Sequence, residues 1–364
     1  MALLLNEPQP SYRSPRLRLL VNDQALTGAY EAEVNSNNHY GADRFGAVLA
    51  LGPDPWADAG FWSSETNILV DVQFSLDGGA SFTSVIQGLV DMVSINPVNG
   101  SVHISGRDFT AALIEAHAQE TFANRTSSEI ATIFAQRHGL IPRVTPTSAL
   151  VGRFYQSDNE SLMLNRFSEA TTEWDLLTYL ARQENYDSFV SGSDLRFQPT
   201  TPETKIDQVL HPADMIELKL ARALTLARDI QVTVRSWNSL QQTAFAECVG
   251  STIIGTSPGA SDNSTNATQQ YVVIRPNLTP DKALAVAQQH LSELSRHERI
   301  IEFSMPAELA LTPRSRILLD GTNTDFDQPY YIDSIERTFR PQTGFIQRIR
   351  ASGSSPRIVS TLQS

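Results

Sequence analysis

Residues 102–140 read VHISGRDFTAALIEAHAQETFANRTSSEIATIFAQRHGL, the end of a strand followed by two short helices. Val102 and Ile104 alternate with polar neighbours, as a half-buried strand does. Gly106-Arg107-Asp108 then breaks that period, and Asp108 is placed to cap a helix with Phe109, Leu113 and Ile114 on one face. The next helix has both ends written into it. Thr126 and Glu129 have capping-box spacing, Ile130, Ile133 and Phe134 form the apolar stripe, and Gly139 follows Arg137 and His138 as a stop. A β region therefore hands over to a helical one within this stretch.

Upstream the signals are strands and turns. Residues 1–16 carry Pro and Ser and read as an arm. In the strand 70–77, Val70, Val72, Phe74 and Leu76 face one way and Asp71, Gln73, Ser75 and Asp77 the other, so the second face is expected to stay out of the core. Asp77-Gly78-Gly79 and Asn99-Gly100 are hairpin turns. Downstream, Thr172 and Asp175 begin a helix with Trp174, Leu177, Leu180 and Ala181 on its buried side, and a hairpin follows through Ser191-Gly192-Ser193. A second β region starts near Ala213. It has a Gly, Ser, Thr and Asn-rich loop at 249–268 and a helix from Thr279-Pro280 to His297. The tail 354–364 has little to bury.

The two β regions repeat one another in outline. Ile68 to Asp71, Leu89 to Val93, a turn at Gly100 and a strand ending at Gly106 parallel Ile317 to Asp320, Tyr331 to Ile335, Gly344 and Gly353. The expected class is α+β, with two similar small antiparallel β-barrels flanking a helical α+β domain. The expected boundaries are 1–105, 106–200 and 201–353, with the 279–297 helix inserted in the last.

Two blocks carry a family resemblance. Ser105-Gly106-Arg107-Asp108, Glu120-Thr121-Phe122, Thr126 to Ile130 and His138-Gly139-Leu140 make the first. The second is TTEWDLLTYLARQENYDSFVSGSDLRFQP, residues 171–199. Together they resemble the late control protein D family, baseplate hubs of contractile phage tails related to the N-terminal part of type VI secretion VgrG spikes. The resemblance covers 105–200 well and 280–353 loosely, and the first hundred residues in pattern only. It implies two tube-like barrels per subunit and three subunits in a ring of six. It also implies tail tube, central spike and baseplate proteins as partners, and a place in the virion tail baseplate, assembled in the host cytoplasm. A chain stopping near 364 is expected to carry no fused spike. The competing readings are a hub of a type VI-like spike and a carbohydrate-active or wall-binding protein.

Composition narrows the alternatives. With 28 Lys+Arg against 40 Asp+Glu, the net charge of −12 argues against a general nucleic-acid or anionic-membrane binder. A lone Cys248 excludes an internal disulfide framework and any multi-cysteine zinc site. No apolar run approaches membrane-spanning length. No phosphate loop, zincin motif, nucleophile elbow or dinucleotide fingerprint is present, so neither enzyme activity nor a cofactor is expected. Cys248 reads as a small buried hydrophobe, Asp175 as a helix cap rather than half of a glycosidase pair with Glu169 or Glu173, and His290 and His297 as solvated. Asp320 to Asp327 lacks EF-hand spacing and reads as a polar turn, while Trp62, Trp174 and Trp237 read as core.

One further expectation concerns charge. No lysine or arginine lies between Arg44 and Arg107, a span holding Asp54, Asp58, Glu65, Asp71, Asp77 and Asp91. In a ring of barrels the Asp71, Gln73 and Asp77 face meets a neighbour, the outside or the lumen. The lumen is the favoured place, because a carboxylate lining repels passing DNA.

Overall fold

The computed structural model describes residues 13–38, 41–52, 57–117, 121–148, 150–151, 161–163, 172–200, 205–224, 226, 229–238, 243–253, 269–275, 278–354 and 357–362. The chain divides into two compact units. The first takes residues 1–203, 306–312 and 335–347, and the second 204–305, 313–334 and 348–364. Segments from the C-terminal third thus belong to the first unit, which the linear boundaries at 105 and 200 do not anticipate.

The first unit begins with strands β1 (Arg16–Val21), β2 (Gln24–Leu26), β3 (Ala29–Asn37) and β4 (Arg44–Ala50), then a short helix α1 (Ala59–Ser64). β5 (Leu69–Ser75), β6 (Thr83–Asn96) and β7 (Ser101–Asp108) follow as an antiparallel meander, in a sheet of order β3-β4-β7-β6-β5-β1-β2. Its turns are the expected ones, with Gly78, Gly79 and Gly100 at positive φ. Val21, Val34, Leu49, Val70, Val72, Phe74 and Val102 are fully buried. Phe345 stacks on Phe74 with ring centres 4.3 Å apart, which ties the 335–347 segment into this core.

The helical part of the unit comprises α2 (Thr110–Glu115), β8 (Thr121–Ala123), β9 (Arg125–Thr126), α3 (Ser127–Arg137), β10 (Ile141–Val144), β11 (Leu150–Val151), β12 (Ser161–Met163), α4 (Glu173–Glu184), β13 (Tyr186–Ser191) and β14 (Asp194–Pro199). Both capping boxes form. Thr126 Oγ1 accepts from the Glu129 amide at 3.3 Å while the Glu129 carboxylate accepts from the Thr126 amide at 3.0 Å, and Thr172 and Asp175 do the same at 3.1 and 3.0 Å. Asp108 serves α2 from one residue further out than expected. Phe109 is the cap position, and Asp108 accepts from the Thr110 amide and hydroxyl at 3.2 and 3.0 Å. Leu113, Ile130, Phe134, Leu176, Leu177, Leu180, Leu195 and Phe197 form a separate, fully buried core.

The second unit holds β15 (Gln208–Leu210), β16 (Glu217–Arg222), β17 (Ile230–Asn238), β18 (Thr243–Ile253), β19 (Gln269–Ile274), α5 (Pro280–Arg296), β20 (Arg299–Pro306), β21 (Arg316–Leu319), β22 (Pro329–Arg340), β23 (Gly344–Gly353) and β24 (Arg357–Leu362), with residues 335–347 of β22 and β23 in the first unit. Its strands run in the order β16-β20-β23-β22-β21-β15. The first unit's β3-β4-β7-β6-β5-β1 is the same order, position for position. Two departures separate the copies: β15 lies parallel to β21 where β1 is antiparallel to β5, and residues 223–298 are inserted between β16 and β20.

That insert corrects three expectations. β17 and its neighbours are not part of the repeated sheet; they form their own sheet, β19-β17-β18-β24, with α5 packed on Ile230, Val232, Val234 and Val249. The tail pairs with β18 from Arg357 to Leu362 rather than trailing free. The loop expected at 249–268 is strand as far as Ile253, and residues 254–268 lie outside the described residues, as does the arm up to residue 12. The chain is α+β with strand predominating, and among the described residues neither repeated sheet closes into a barrel. No described helix is long and apolar enough to cross a membrane.

Candidate functional site

β5 is covered on both faces, which corrects the expectation that its polar face stays open. Val70, Val72 and Phe74 are fully buried on one side, and Asp71, Gln73 and Ser75 are buried on the other. The polar side chains satisfy one another. Asp71 accepts from Gln73 Nε2 and Ser84 Oγ, each at 2.6 Å, and from Gln87 Nε2 at 3.1 Å, while Gln73 Oε1 accepts from Arg18 Nε at 2.7 Å. A side chain at Gly192 would begin 3.2 Å from the Gln87 side-chain oxygen, so the β13–β14 turn lies over this network. Such a buried carboxylate persists because three donors replace its water. The partners outside β5 come from β6, across the hairpin turn at Asp77-Gly78-Gly79, and from β1, whose pairing no local signal in the sequence reveals.

Asp77 is the member of the predicted set that stays exposed. It accepts from the hydroxyls of Ser75 and Ser81, each at 2.6 Å, and from the Ser81 amide at 3.0 Å. The Ser75 hydrogen bond first, then those from Ser81, hold its carboxyl well below the usual range. The structure thus separates the three residues: Asp71 and Gln73 lie buried in a hydrogen-bond network and Asp77 in an exposed turn.

Against β3, β4, β6 and β7 of the same sheet lies a groove of about 400 Å³ lined by Glu31, Glu33, Met92, His103, Thr338 and Arg340. Met92 is 60% exposed, and Arg340 Nε stands 3.9 Å from Glu31. The groove mixes methyl groups with one ion pair and brings no nucleophile to a base.

The constellation most like an active site is in the helical part. Glu173, 1% exposed, accepts from Arg137, and its other oxygen lies 2.6 Å from His138 Nε2. It joins the C-terminal end of α3 to the first turn of α4, with the Arg137 cation at a helix end of negative polarity and the acid at one of positive polarity. Arg137 and His138 take one carboxylate oxygen each, so the arrangement fastens two helices. Glu169 lies outside the described residues. Cys248 is free and buried, with Gln231 Nε2 at 2.9 Å from its sulfur. Asp327 organises the 320–327 turn by accepting from the amide and hydroxyl of Thr322 and the amide of Asn323. No cluster of metal-binding side chains occurs among the described residues. Trp62 and Trp174 are core, as expected, whereas Trp237 is 51% exposed.

No family model matches the sequence, and no curated protein does. Solved structures do match. The tail protein from Neisseria meningitidis MC58 is similar over 93% of this chain and 96% of its own, with a TM-score of 0.66 at 12% identity. The 43 kDa tail protein of prophage MuSo2 from Shewanella oneidensis covers 93% and 98%, with a TM-score of 0.67 at 14% identity. The chain has the fold of phage tail proteins. A component of the type VI secretion system, the E. coli c3393 protein, shares this tail-protein fold over 93% of the chain and 79% of its own, with a TM-score of 0.54 at 10% identity. The tail-protein fold spans nearly the whole chain, including the first hundred residues that resemble the hub family only in pattern.

Proposed function

We propose that this protein is a structural baseplate hub subunit of a contractile phage tail or tail-like particle. It forms a homotrimeric ring of six-fold pseudo-symmetry that joins the tail tube to the central spike. The observation that carries the reading is the strand order shared by the two β regions, β3-β4-β7-β6-β5-β1 and β16-β20-β23-β22-β21-β15. A subunit holding two versions of one sheet needs three copies to present six of them around an axis. The two related sheets are the counterparts of the two tube-like barrels, which close in the assembled ring. The family resemblance supports tail tube, spike and other baseplate proteins as partners and the virion tail as location. DNA is in contact only in passage, and Asp77, the exposed member of the acidic set, faces that channel.

The role is structural rather than enzymatic: Glu173 and Asp71 are saturated by partners from their own chain. The test is mass and symmetry of the purified protein by light scattering and electron microscopy. A trimer with three-fold symmetry is expected, and a closed two-fold dimer overturns the reading. Likeness to the E. coli secretion component favours one second reading, a hub of a type VI-like spike. Co-assembly with a phage tail tube protein or with a secretion-system tube protein separates the two. Purified peptidoglycan should not be hydrolysed, and turnover would sink the purely structural role.

A further inference from the structure

The second unit holds an unusual grouping of cations around one ring. Arg316 on β21 is the cross-strand neighbour of Tyr331 on β22, and Arg296 is the last residue of α5. Their guanidinium carbons lie 4.9 and 4.4 Å from the centre of the Tyr331 ring. All three side chains are half-buried. Among the described residues neither guanidinium has a carboxylate partner, because the nearby acids are engaged elsewhere. Asp207 takes the Lys205 ammonium at 2.8 Å and the Arg316 backbone amide at 2.9 Å, Glu298 takes Arg222 at 3.1 Å, and Asp325 lies against Arg299. Two like charges beside one ring, partly withdrawn from water, repel each other more than they would in solvent. An arginine lying over an aromatic ring spends the face of its guanidinium and keeps its edge N–H groups for a carboxylate.

We infer that Arg296 and Arg316, ordered by Tyr331, form a receptor for carboxylates on a second copy of this chain. The charge distribution names that occupant. Residues 1–203 carry 12 Lys+Arg and 24 Asp+Glu, whereas residues 204–364 carry 16 of each. The whole net charge of −12 therefore resides in the first part, which includes the cation-free span 45–106. The acidic part of a partner is therefore the complementary surface for this arginine pair. A head-to-tail contact sets it against the acidic part, and repeated around a closed ring it satisfies every subunit equally. The inference rests on the trimeric reading and assigns the residues that hold neighbouring subunits together.

The test compares the full-length protein with Arg296→Glu/Arg316→Glu, Arg296→Gln/Arg316→Gln and Tyr331→Phe. Mass is followed by light scattering across a dilution series. Circular dichroism and thermal melting report whether each variant folds, and the Gln pair keeps the test open should the Glu pair misfold. The expected result is a wild-type trimer whose dissociation constant rises with salt between about 0.05 and about 0.5 M NaCl, as a charge-held contact requires. Both double variants should raise that constant by about 30-fold or more, with reversal exceeding neutralisation. Tyr331→Phe, which keeps the ring, should not change it. In Arg316→Lys, carbodiimide should join the new amine to an acid within residues 1–203 of a neighbour, read by mass spectrometry on mixed isotopically labelled trimers. A wild-type dimer would sink the trimer itself. Folded variants that stay trimeric with unaltered salt dependence, or a cross-link to residues 204–364 of the neighbour, would overturn this inference alone.

Discussion

Replacing Glu173 by alanine tests whether the buried carboxylate fastens α3 to α4. The acid is 1% exposed and accepts from Arg137 on one oxygen and from His138 on the other at 2.6 Å. Hydrogen bonds to charged groups are each worth about 1.5–3 kcal/mol, and removing one partner of a buried pair costs about 3–5 kcal/mol. The lower end applies here. The Arg137 side chain is 35% exposed and can turn to water once its partner is gone, and that exposure already screens the pair. The acid also lies in the first turn of α4, where the helix dipole adds about 0.3–1 kcal/mol. The local cost is therefore about 3 kcal/mol, which multiplies the opening equilibrium by about 10². Hydrogen exchange followed by mass spectrometry reads this directly: amides of α3 and α4 should lose about 10²-fold protection while those of β17 and β18 stay unchanged. Glu173→Gln, which keeps the volume and one acceptor, should lose about tenfold. Less than a threefold change in the alanine variant would refute the fastening role.

Other expectations follow from single sites. Burial first, and then the nearby Asp43, push the Asp108 carboxyl up to about 7. Its folded pKa lies above the unfolded one, so the folded state holds this proton more tightly and stability falls as pH rises from about 4 to about 7. Asp108→Asn should flatten that part of the melting-temperature profile, and an unchanged slope would contradict the assignment. Gly106→Ala would drive a methyl to 2.1 Å from the Leu89 carbonyl oxygen and 2.6 Å from the Phe45 ring, costing about 1–3 kcal/mol in denaturant titrations. Cys248 should resist thiol reagents in the folded protein. Removing residues 357–364, whose Leu362 pairs opposite Cys248, should make it reactive without unfolding the first unit.

The parts of this protein legible in its sequence are those whose causes are local. Thr126 with Glu129 and Thr172 with Asp175 contain both donor and acceptor within four residues, so the helix starts were fixed before any tertiary contact. Asn99-Gly100 and Asp77-Gly78-Gly79 set turns because glycine alone takes positive φ without strain. Alternation placed Val70, Val72 and Phe74 in a core, and spacing hinted at the repeat. What alternation cannot say is whether the second face of a strand is also covered. Asp71 and Gln73 looked like a solvent face, and only the arrival of Ser84 and Gln87 from the paired β6 and of Arg18 from the distant β1 made burial tolerable. The same holds for β24, which becomes a strand by pairing with β18, and for the 223–298 insert, whose β17 and β19 pair in parallel across more than thirty residues. Trp237 is the reverse case: its composition called for burial, and the sheet face it stands on left it half exposed. Sequence determines which backbone geometry each segment can adopt, while the choice of partner depends on which edges and faces the rest of the chain leaves open.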